Sequence, residues 1–391
     1  MAVGERPELC YEALMVDHGA SQPPYGILSG DGQADPERDP RLSPDLLQRM
    51  YREMLLLRRL DERLMALQRQ GRIGSHSSAK GQEAVPVAAA LVSRGSDWVF
   101  PAFREGGMAL VRGFPLRRYL AQVFGTREDV QLGRQMPGHQ SSREVNHVAW
   151  SSCAGNQLPH AVGAAWAARR RGDDMVALAF LGDGAASAPD FHSALNFAAV
   201  LDAPCVFICQ NNQYAISTPL ERQTAAASIA IKGRAYAVPA QRIDGNDVLA
   251  VYQVLGDALA RCRGGAGPQL VEAVTYRLGP HSTSDDPTRY RTEAEVADWA
   301  RLDPLLRLEA YLRRAGLLDE AQAGAWEAEV RRLVEDAVAA AENQARPDPG
   351  TLFDDVFERL PWHLEEQREQ CLACRPAVPG PEPTADPARG L

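Results

Sequence analysis

The stretch MVALAFLGDGAASAPDFHSALNFAAVLDAPCVFICQNNQYAIST, from Met175 to Thr218, has the pattern of a strand, a helix and a second strand. The uninterrupted apolar run Val176 to Leu181 is typical of a strand that is covered on both faces. A helix is expected to follow with Asp190 as its N-cap, and the apolar run Pro204 to Cys209 then forms the second strand. So short a unit predicts a right-handed crossover between parallel strands.

Polar residues stand where each of these two strands ends. Asp183 follows the first strand and Asn212 follows the second, so both are expected at the edge of the sheet where open α/β sheets bind ligands. A carboxylate and an amide oxygen are hard ligands that suit Mg²⁺, which completes its shell with phosphate oxygens and water. Gly182 and Gly184 would let the backbone approach a diphosphate, and the amino terminus of the next helix would offer it amide donors.

A second Gly-Asp-Gly sequence in the chain serves as a control for this interpretation. Gly30-Asp31-Gly32 lies in a segment rich in Pro, Gly and Asp, from Ser21 to Pro40, and no apolar strand precedes it. Such a context predicts a plain turn. It is the surrounding strand–helix–strand pattern, and not the tripeptide, that indicates a site at Asp183.

The composition is that of a globular enzyme. The chain has 391 residues, of which 45% are hydrophobic and 24% charged, with a net charge of -9. The acidic balance and the absence of a long basic run disfavour nucleic acid and anionic membranes as partners. There is no apolar stretch of membrane-spanning length and no signal-peptide core at the amino terminus, so we expect a cytoplasmic protein. Cys371 and Cys374 form an isolated C-x-x-C pair, for which we predict no metal or redox role.

The chain divides into one large domain between two tails. We predict an irregular amino-terminal tail over residues 1–40, a domain over 41–370, and a Pro-rich tail over 371–391. The domain should begin with a long amphipathic helix, capped by Ser43 and continuing to Gly71. It should end with helices over Asp303–Asn343 and a small helix pair over Phe353–Arg368.

Further candidates for a site occur in three loops. Arg104 follows a short predicted strand and could clamp a phosphate, although an isolated arginine after a strand is more often a surface residue. His281 follows the apolar strand Gln269–Thr275 and is the best acid–base candidate among the eight histidines. The polar residues of Ser151–Gln157 could line a cofactor or monovalent-cation pocket, or simply precede a helix that packs closely.

Several motifs together resemble a known family. The arrangement GDG, 26 residues, NN is the diphosphate-binding motif of thiamine diphosphate enzymes. From about Ser43 to Glu369 the chain resembles the alpha subunit of the decarboxylating component of 2-oxoacid dehydrogenase complexes, and the branched-chain member fits best. The stretches that carry this resemblance are QRQGRI (Gln68–Ile73), GRQMP (Gly133–Pro137), GDGAAS (Gly182–Ser187), NNQYAIST (Asn211–Thr218), DGNDV (Asp244–Val248) and HSTSDDP (His281–Pro287).

The resemblance implies an α/β thiamine diphosphate-binding fold, with a parallel sheet sandwiched between helices and a helical carboxyl-terminal extension. By position, Mg²⁺ would be held by Asp183, Asn212 and the backbone carbonyl of Tyr214. Contacts to the cofactor would come from Phe103, Arg104, Ser152, Ala154, Gly182, Asp183, Gly184, Ala185, Asn212 and His281, with His281 as the catalytic residue. Ser151, Asn156 and Gln157 correspond to a potassium loop, and Gln210 stands where the animal branched-chain proteins carry arginine.

The implied reaction is oxidative decarboxylation of a branched-chain 2-oxo acid, with transfer of the acyl group to lipoamide. The implied partners are a beta subunit, in an α₂β₂ heterotetramer, and a lipoyl-bearing acyltransferase core. A pyruvate or acetoin dehydrogenase alpha subunit is the first alternative. An inactive scaffold or a nucleotide-binding module is an alternative of another class, but the sequence contains neither a P-loop nor a Rossmann fingerprint. Ser282 and Thr292 match positions that are phosphorylated in animal members.

Overall fold

The computed structural model describes residues 23–374, and its centre is a five-stranded parallel sheet. The strands of this sheet are β1 (Trp98–Phe100), β2 (Ala177–Gly182), β3 (Cys205–Asn211), β4 (Ala240–Asp244) and β5 (Gln269–Val274). Their order across the sheet is β1-β2-β3-β5-β4. The predicted strand–helix–strand unit is therefore confirmed, since β2 and β3 are parallel neighbours.

Twelve α-helices accompany the sheet in residues 23–374. They are α1 (Pro44–Arg69), α2 (Ala84–Val92), α3 (Gly107–Val111), α4 (Leu116–Phe124), α5 (Gln157–Arg171), α6 (Pro189–Val200), α7 (Leu220–Gln223), α8 (Val248–Arg263), α9 (Glu293–Ala300), α10 (Pro304–Arg314), α11 (Glu320–Glu342) and α12 (Trp362–Ala373). None of these helices in residues 23–374 combines the length and the apolar character needed to cross a membrane.

The sheet is covered on both faces, as the unbroken apolar strands predicted. Leu178 and Phe180 of β2 point into a core formed with α1, α2 and α8, whereas Ala179 and Leu181 point into a second core formed with α5 and α6. Side chains alternate between the two faces of a strand, so a strand that is apolar at every position needs helices on both sides. The α/β sandwich predicted from the sequence is confirmed.

The helix after β2 begins two residues earlier than its predicted N-cap implies. A 3-10 turn, Gly184–Ser187, follows Asp183, and α6 starts at Pro189 with Ala188 in the cap position. Asp190 therefore lies in the first turn and does not cap the helix. The cause is Pro189, which has a backbone angle suited to the first helical position and no amide hydrogen to satisfy.

The amino-terminal prediction for α1 is confirmed, and the carboxyl-terminal helices differ in detail. Ser43 accepts a hydrogen bond from the amide of Leu46 and caps α1. The helical region Asp303–Asn343 is two helices, because the chain turns at Gly316, whose φ is 67°. The predicted helix pair over Phe353–Arg368 is wrong: the chain there has a 3-10 turn at Pro349–Phe353 and the single helix α12.

Residues 23–40 contain no helix or strand, but they pack firmly on the domain. Gly30 and Asp31 form a turn, as predicted. The backbone amides of Ile27 and Leu28 each donate a 2.6 Å hydrogen bond to the carboxylate of Asp247, which also caps α8. The rest of the predicted amino-terminal tail and nearly all of the carboxyl-terminal one lie outside the described residues, and the boundaries at residues 40 and 370 stay predictions.

Replacing Asp247 with alanine should destabilise the domain and release residues 23–40. The change removes a helix cap and leaves two buried amides without an acceptor, a combined cost of about 3 kcal/mol. Urea unfolding would measure the free energy, and limited proteolysis would detect cleavage within residues 23–40. Asp319→Ala is the matched control, because Asp319 caps α11 at an exposed position and receives only the amide of Gln322. Equal losses in the free energy of unfolding for the two variants, or unchanged proteolysis of residues 23–40, would contradict the role of Asp247 in holding this segment.

Candidate functional site

The site is built where parallel strands end at one edge of the sheet. Asp183 follows β2 and is 2% exposed, and Asn212 follows β3, so the strand register brings the two side chains close together. Gln223 donates a 2.6 Å hydrogen bond from Nε2 to Oδ2 of Asp183. Burial raises the pKa of Asp183, while the hydrogen bond from Gln223 and the backbone amide of Asn212 act against this shift. The negative charge of Asp183 is thus only partly balanced by its neighbours, and this suits the carboxylate to binding a cation.

Two further oxygen atoms near this carboxylate complete a candidate metal site. The amide nitrogen Nδ2 of Asn212 donates to Gln82, so its Oδ1 is the end that faces the turn and accepts from the amide of Tyr214. The carbonyl of Tyr214 accepts a 3.3 Å hydrogen bond from Arg277. Residues 23–374 contain no group of three His, Cys, Asp or Glu side chains that could hold a metal. A metal here would depend on one carboxylate together with amide and carbonyl oxygens, a set that favours Mg²⁺.

The two glycines beside Asp183 have different roles. A Cβ placed on Gly184 would lie 2.7 Å from the Cβ of Ala215, so this glycine is required by the packing of the turn after β3. A Cβ on Gly182 would meet no atom within 4 Å, so this position faces open space. Only Gly182 therefore fits the expected role of leaving room for a ligand next to the backbone. At Gly184 the close contact is with Ala215 of the protein itself and not with a ligand.

Arg104 is a buried cation without a carboxylate partner. It donates to the carbonyl of Ser78 and, from Nη2, to Nδ1 and the carbonyl of His281 at 3.3 and 3.0 Å. Burial and the nearby Arg277 lower its pKa to about 9. The Nε atoms of both arginines have no hydrogen-bond partner among the described residues. Arg104 lines the cavity, while Arg277 is fully buried behind it, and two guanidinium groups without a carboxylate partner favour an anion such as a diphosphate beside Arg104.

His281 is held as a neutral side chain beside Arg104. Burial, followed by the charges of Arg104 and Arg277, lowers its pKa to about 4. Because Arg104 donates to Nδ1, the ring proton is assigned to Nε2, which leaves His281 able to donate one hydrogen bond at neutral pH. The ring packs edge-on against Phe103, with 5.5 Å between the centroids. His281 is thus fixed in both orientation and tautomer.

A cavity of about 300 Å³ lies next to these groups. Phe103, Arg104, Ser152 and His281 all line it, so the structure brings together four of the predicted cofactor contacts. Gly182, Asp183, Ala185 and Asn212 lie at the adjacent strand ends and not in its wall. Ala154 is exposed on the loop before α5.

The predicted potassium loop makes hydrogen bonds within the protein. Ser151 accepts a hydrogen bond from the amide of Cys153, and Gln157 donates one to the carbonyl of Phe180. Asn156 immediately precedes α5.

Several residues of the site were missed by reasoning from the sequence. His139 and Trp150 stack at 3.5 Å in the cavity wall, and His139 contacts Ser152. Asp61 is 5% exposed, and its Oδ1 lies 2.9 Å from Nε2 of His76; both residues line the cavity. Asp61 lies between Leu60 and Leu64 on the buried stripe of α1, and a carboxylate on an apolar stripe is the signal that could have revealed it.

Glu105 is a buried acid with an unusual partner. Gln210 donates to its Oε1, and Oε2 has no partner among the described residues. Gln210 offers Glu105 a neutral amide donor, which brings no positive charge to balance the carboxylate. Burial raises the pKa of Glu105 to about 7, despite the hydrogen bonds from backbone amides and Gln210.

Replacing Glu105 with glutamine should stabilise the protein above pH 7. The folded pKa exceeds the ordinary 4.5, so the folded state favours the protonated form and loses stability as the pH rises from about 4.5 through 7. The advantage of the variant should approach about 3 kcal/mol at pH 8 and vanish near pH 4.5. Urea unfolding at a series of pH values would measure it.

Glu62→Gln provides a control of opposite sign. The hydrogen bonds from Arg59 and Lys80 outweigh burial and lower the pKa of Glu62, so its stabilising effect is present at neutral pH and disappears on acidification. This variant should be less stable than the parent at pH 8, by an amount that shrinks as the pH falls. A Glu105→Gln variant that is less stable than the parent at pH 8 would contradict the raised pKa of Glu105.

Comparison with known proteins places the chain in a family. The family described as "Dehydrogenase E1 component" matches residues 51–350. The chain is 44% identical over 373 residues to the 3-methyl-2-oxobutanoate dehydrogenase subunit alpha of Mycobacterium tuberculosis, covering 90% of this chain and 94% of that protein. It is 41% identical over 349 residues to the mitochondrial 2-oxoisovalerate dehydrogenase subunit alpha of Homo sapiens, covering 89% of this chain and 78% of that protein. The chain therefore belongs to the dehydrogenase E1 component family.

Proposed function

We propose that this chain is the alpha subunit of a thiamine diphosphate-dependent dehydrogenase that decarboxylates branched-chain 2-oxo acids and passes the acyl group to lipoamide. The observation that carries the proposal is the pairing, at one sheet edge, of hard oxygen ligands at Asp183 and Asn212 with the uncompensated cations Arg104 and Arg277. This combination suits a magnesium diphosphate. The names of the relatives from Mycobacterium tuberculosis and Homo sapiens support the branched-chain substrate.

Each part of the cofactor would meet a different set of residues. Asp183, Asn212 and the carbonyl of Tyr214 would hold Mg²⁺, and the carbonyl would have to share its lone pairs with Arg277. The diphosphate and the rings beyond it would be contacted by Phe103, Arg104, Ser152, Ala154, Gly182, Gly184, Ala185 and His281. When bound, thiamine diphosphate supplies the carbon nucleophile and the electron sink for decarboxylation.

The role proposed for His281 follows from its protonation. At neutral pH it carries a single ring proton, at Nε2, and it can donate this proton in a hydrogen bond to a phosphate or to the reacting acid. Arg104 prevents the ring from turning, because it donates to both Nδ1 and the backbone carbonyl of the same residue. The pair thus offers the Nε2 proton of His281 to the cavity. The charge of Arg104 keeps the ring neutral, so His281 does not add a second positive charge.

The assembly and location are part of the same proposal. A beta subunit would complete an α₂β₂ heterotetramer, and a lipoyl-bearing acyltransferase core would receive the acyl group. A potassium ion at Ser151, Asn156 and Gln157 would order the loop before α5. We retain the cytoplasm as the expected location, although the human relative is named mitochondrial. A pyruvate or acetoin dehydrogenase subunit remains the alternative, because the acyl specificity depends on the wall of the cavity.

Replacing Asp183 with alanine should abolish Mg²⁺-dependent binding of thiamine diphosphate. The variant loses the one carboxylate in the proposed ligand set, and affinity should fall at least about 100-fold, the upper range seen when supporting groups of a metal site are removed. Calorimetric titration of the chain purified with its candidate beta partner would measure this.

The chain supplies its own matched control in the second Gly-Asp-Gly sequence. Asp31→Ala removes an exposed carboxylate that pairs with Ser29 and Arg314, so it should leave cofactor binding unchanged. If the assembled parent pair gives no Mg²⁺-dependent heat, the thiamine assignment fails. If Asp183→Ala binds as tightly as Asp31→Ala, the metal is held elsewhere.

A further inference from the structure

Two glutamines from outside the strands contact the side chains proposed to hold Mg²⁺. Nε2 of Gln223 donates a 2.6 Å hydrogen bond to Oδ2 of Asp183. Oε1 of Gln82 accepts a 3.0 Å hydrogen bond from Nδ2 of Asn212. Each glutamine thus touches one of the two side-chain ligands. Groups that hold the ligands of a metal site orient them and contribute to the affinity for the ion.

The amide of Gln223 has only one orientation that satisfies its neighbours. One end of the amide lies near two oxygen atoms that only accept, Oδ2 of the Asp183 carboxylate and, at 2.9 Å, the backbone carbonyl of Thr218. That end therefore carries the hydrogen atoms and is Nε2. The other end is Oε1, which is buried and has no hydrogen-bond partner among residues 23–374. Because both atoms share one carbon, Oε1 offers an unused acceptor beside the carboxylate.

The turn after β3 brings Gln223 back to the end of β2. Tyr214–Ala215 pairs with Thr218–Pro219 in antiparallel fashion, and α7 follows at once and ends at Gln223. The hydroxyl of Ser187, in the 3-10 turn after Asp183, donates a 3.4 Å hydrogen bond to the backbone carbonyl of Gln223. One turn thus carries the proposed carbonyl ligand and also the residue that holds the carboxylate ligand.

Asn212 is oriented by Gln82 on its other side. Its Oδ1 accepts a hydrogen bond from a backbone amide, so Nδ2 is the end that faces Gln82. Gln82 is 1% exposed and lies beside the end of β3 because of Thr275. The amide of Thr275 donates to the carbonyl of Asn211 at 2.8 Å, and its hydroxyl oxygen lies 3.1 Å from the carbonyl oxygen of Gly81. The position of Gln82 is therefore set by the sheet itself.

We propose that Gln223 and Gln82 are positioning residues of the metal site. Gln223 fixes the carboxylate of Asp183 and accepts a hydrogen bond from a water molecule in the coordination shell of Mg²⁺, while Gln82 holds the amide of Asn212 with its oxygen toward the ion. The proposal rests on the proposed function and adds the residues that set its affinity for the metal. Mg²⁺ bound through few protein ligands keeps several waters, which donate hydrogen bonds, and the unused Oε1 of Gln223 is a buried acceptor beside one ligand.

The test measures how strongly cofactor binding depends on Mg²⁺. Thiamine diphosphate is titrated in a calorimeter into the chain assembled with its beta partner, at a series of free Mg²⁺ concentrations. The concentration of Mg²⁺ that gives half-maximal binding is the main readout. Carbon dioxide release from 3-methyl-2-oxobutanoate is measured at the same Mg²⁺ concentrations.

Gln223→Met and Gln82→Met remove the polar atoms and keep the length of the side chain. Each should raise the Mg²⁺ concentration for half-maximal binding about 10- to 100-fold, the range seen when groups that support metal ligands are removed. Excess Mg²⁺ should restore both binding and kcat, because neither glutamine lines the cavity. Recovery of this kind also shows that the variant is folded and assembled.

Two further variants separate positioning from packing. Gln82→Glu keeps an oxygen that accepts from Nδ2 of Asn212, so it should restore most of the Mg²⁺ affinity that Gln82→Met loses. Gln48→Met is the matched control, since it removes a side-chain amide that donates to the carbonyl of Leu317 at 2.8 Å. It should leave the dependence on Mg²⁺ unchanged.

If Gln223→Met or Gln82→Met responds to Mg²⁺ as Gln48→Met does, the role of that glutamine is overturned while the dehydrogenase assignment stays intact. A loss that excess Mg²⁺ does not repair, or that Gln82→Glu does not reverse, would also contradict positioning. A parent pair that is assembled yet binds no thiamine diphosphate at any Mg²⁺ concentration is a different result: it removes the proposed function, and the positioning proposal falls with it.

Discussion

Parallel hydrogen bonding between β2 and β3 pairs Gly182 with Gln210, so that the residues after each strand emerge side by side. The pairing of β3 with β5 adds the segment that leads to Arg277 and His281, and the pairing of β1 with β2 adds the segment that leads to Phe103 and Arg104. A shift of one residue in this register would turn the side chains of a strand to the opposite face. The apolar packing on both faces of the sheet prevents such a shift, so the core itself positions the polar groups.

The polar groups at this edge are balanced only in part by the protein. Burial and the charge of Arg277 lower the pKa of Arg104, and burial together with the charge of Arg291 lowers the pKa of Arg277. Neither guanidinium forms a salt bridge with a carboxylate of residues 23–374; the hydrogen bonds of both go to carbonyl oxygens, a histidine ring and a tyrosine hydroxyl. Asp183 is buried with a glutamine amide as its main partner. Separated positive and negative groups of this kind are costly to bury unless a ligand of matching charge is bound. A metal diphosphate supplies both signs at once, which explains why the two sets stand so close together.

The sequence predicted those parts of the structure that follow from local pattern. Unbroken apolar runs marked β2 and β3, and Asp183 and Asn212 were found because they stand directly after them. The early start of α6 differs from the prediction because Asp190 has the stronger capping preference in the sequence, whereas Pro189 takes the first helical position in the structure. The bonds from Asp61 to His76 and from Gln223 to Asp183 join residues 15 and 40 positions apart. Such pairs depend on how helices and loops pack, and no single-sequence periodicity contains that information.

We expect a catalytic site that is complete only with its partner and its cofactor. The most direct test is release of labelled carbon dioxide from 3-methyl-2-oxobutanoate carrying the label at its carboxyl carbon. The chain and its candidate beta partner would be assayed together and separately, each with and without thiamine diphosphate and Mg²⁺. We expect release only from the assembled pair and only with both additions. An assembled pair that binds thiamine diphosphate and Mg²⁺ yet releases no label from this or any other 2-oxo acid would contradict the account.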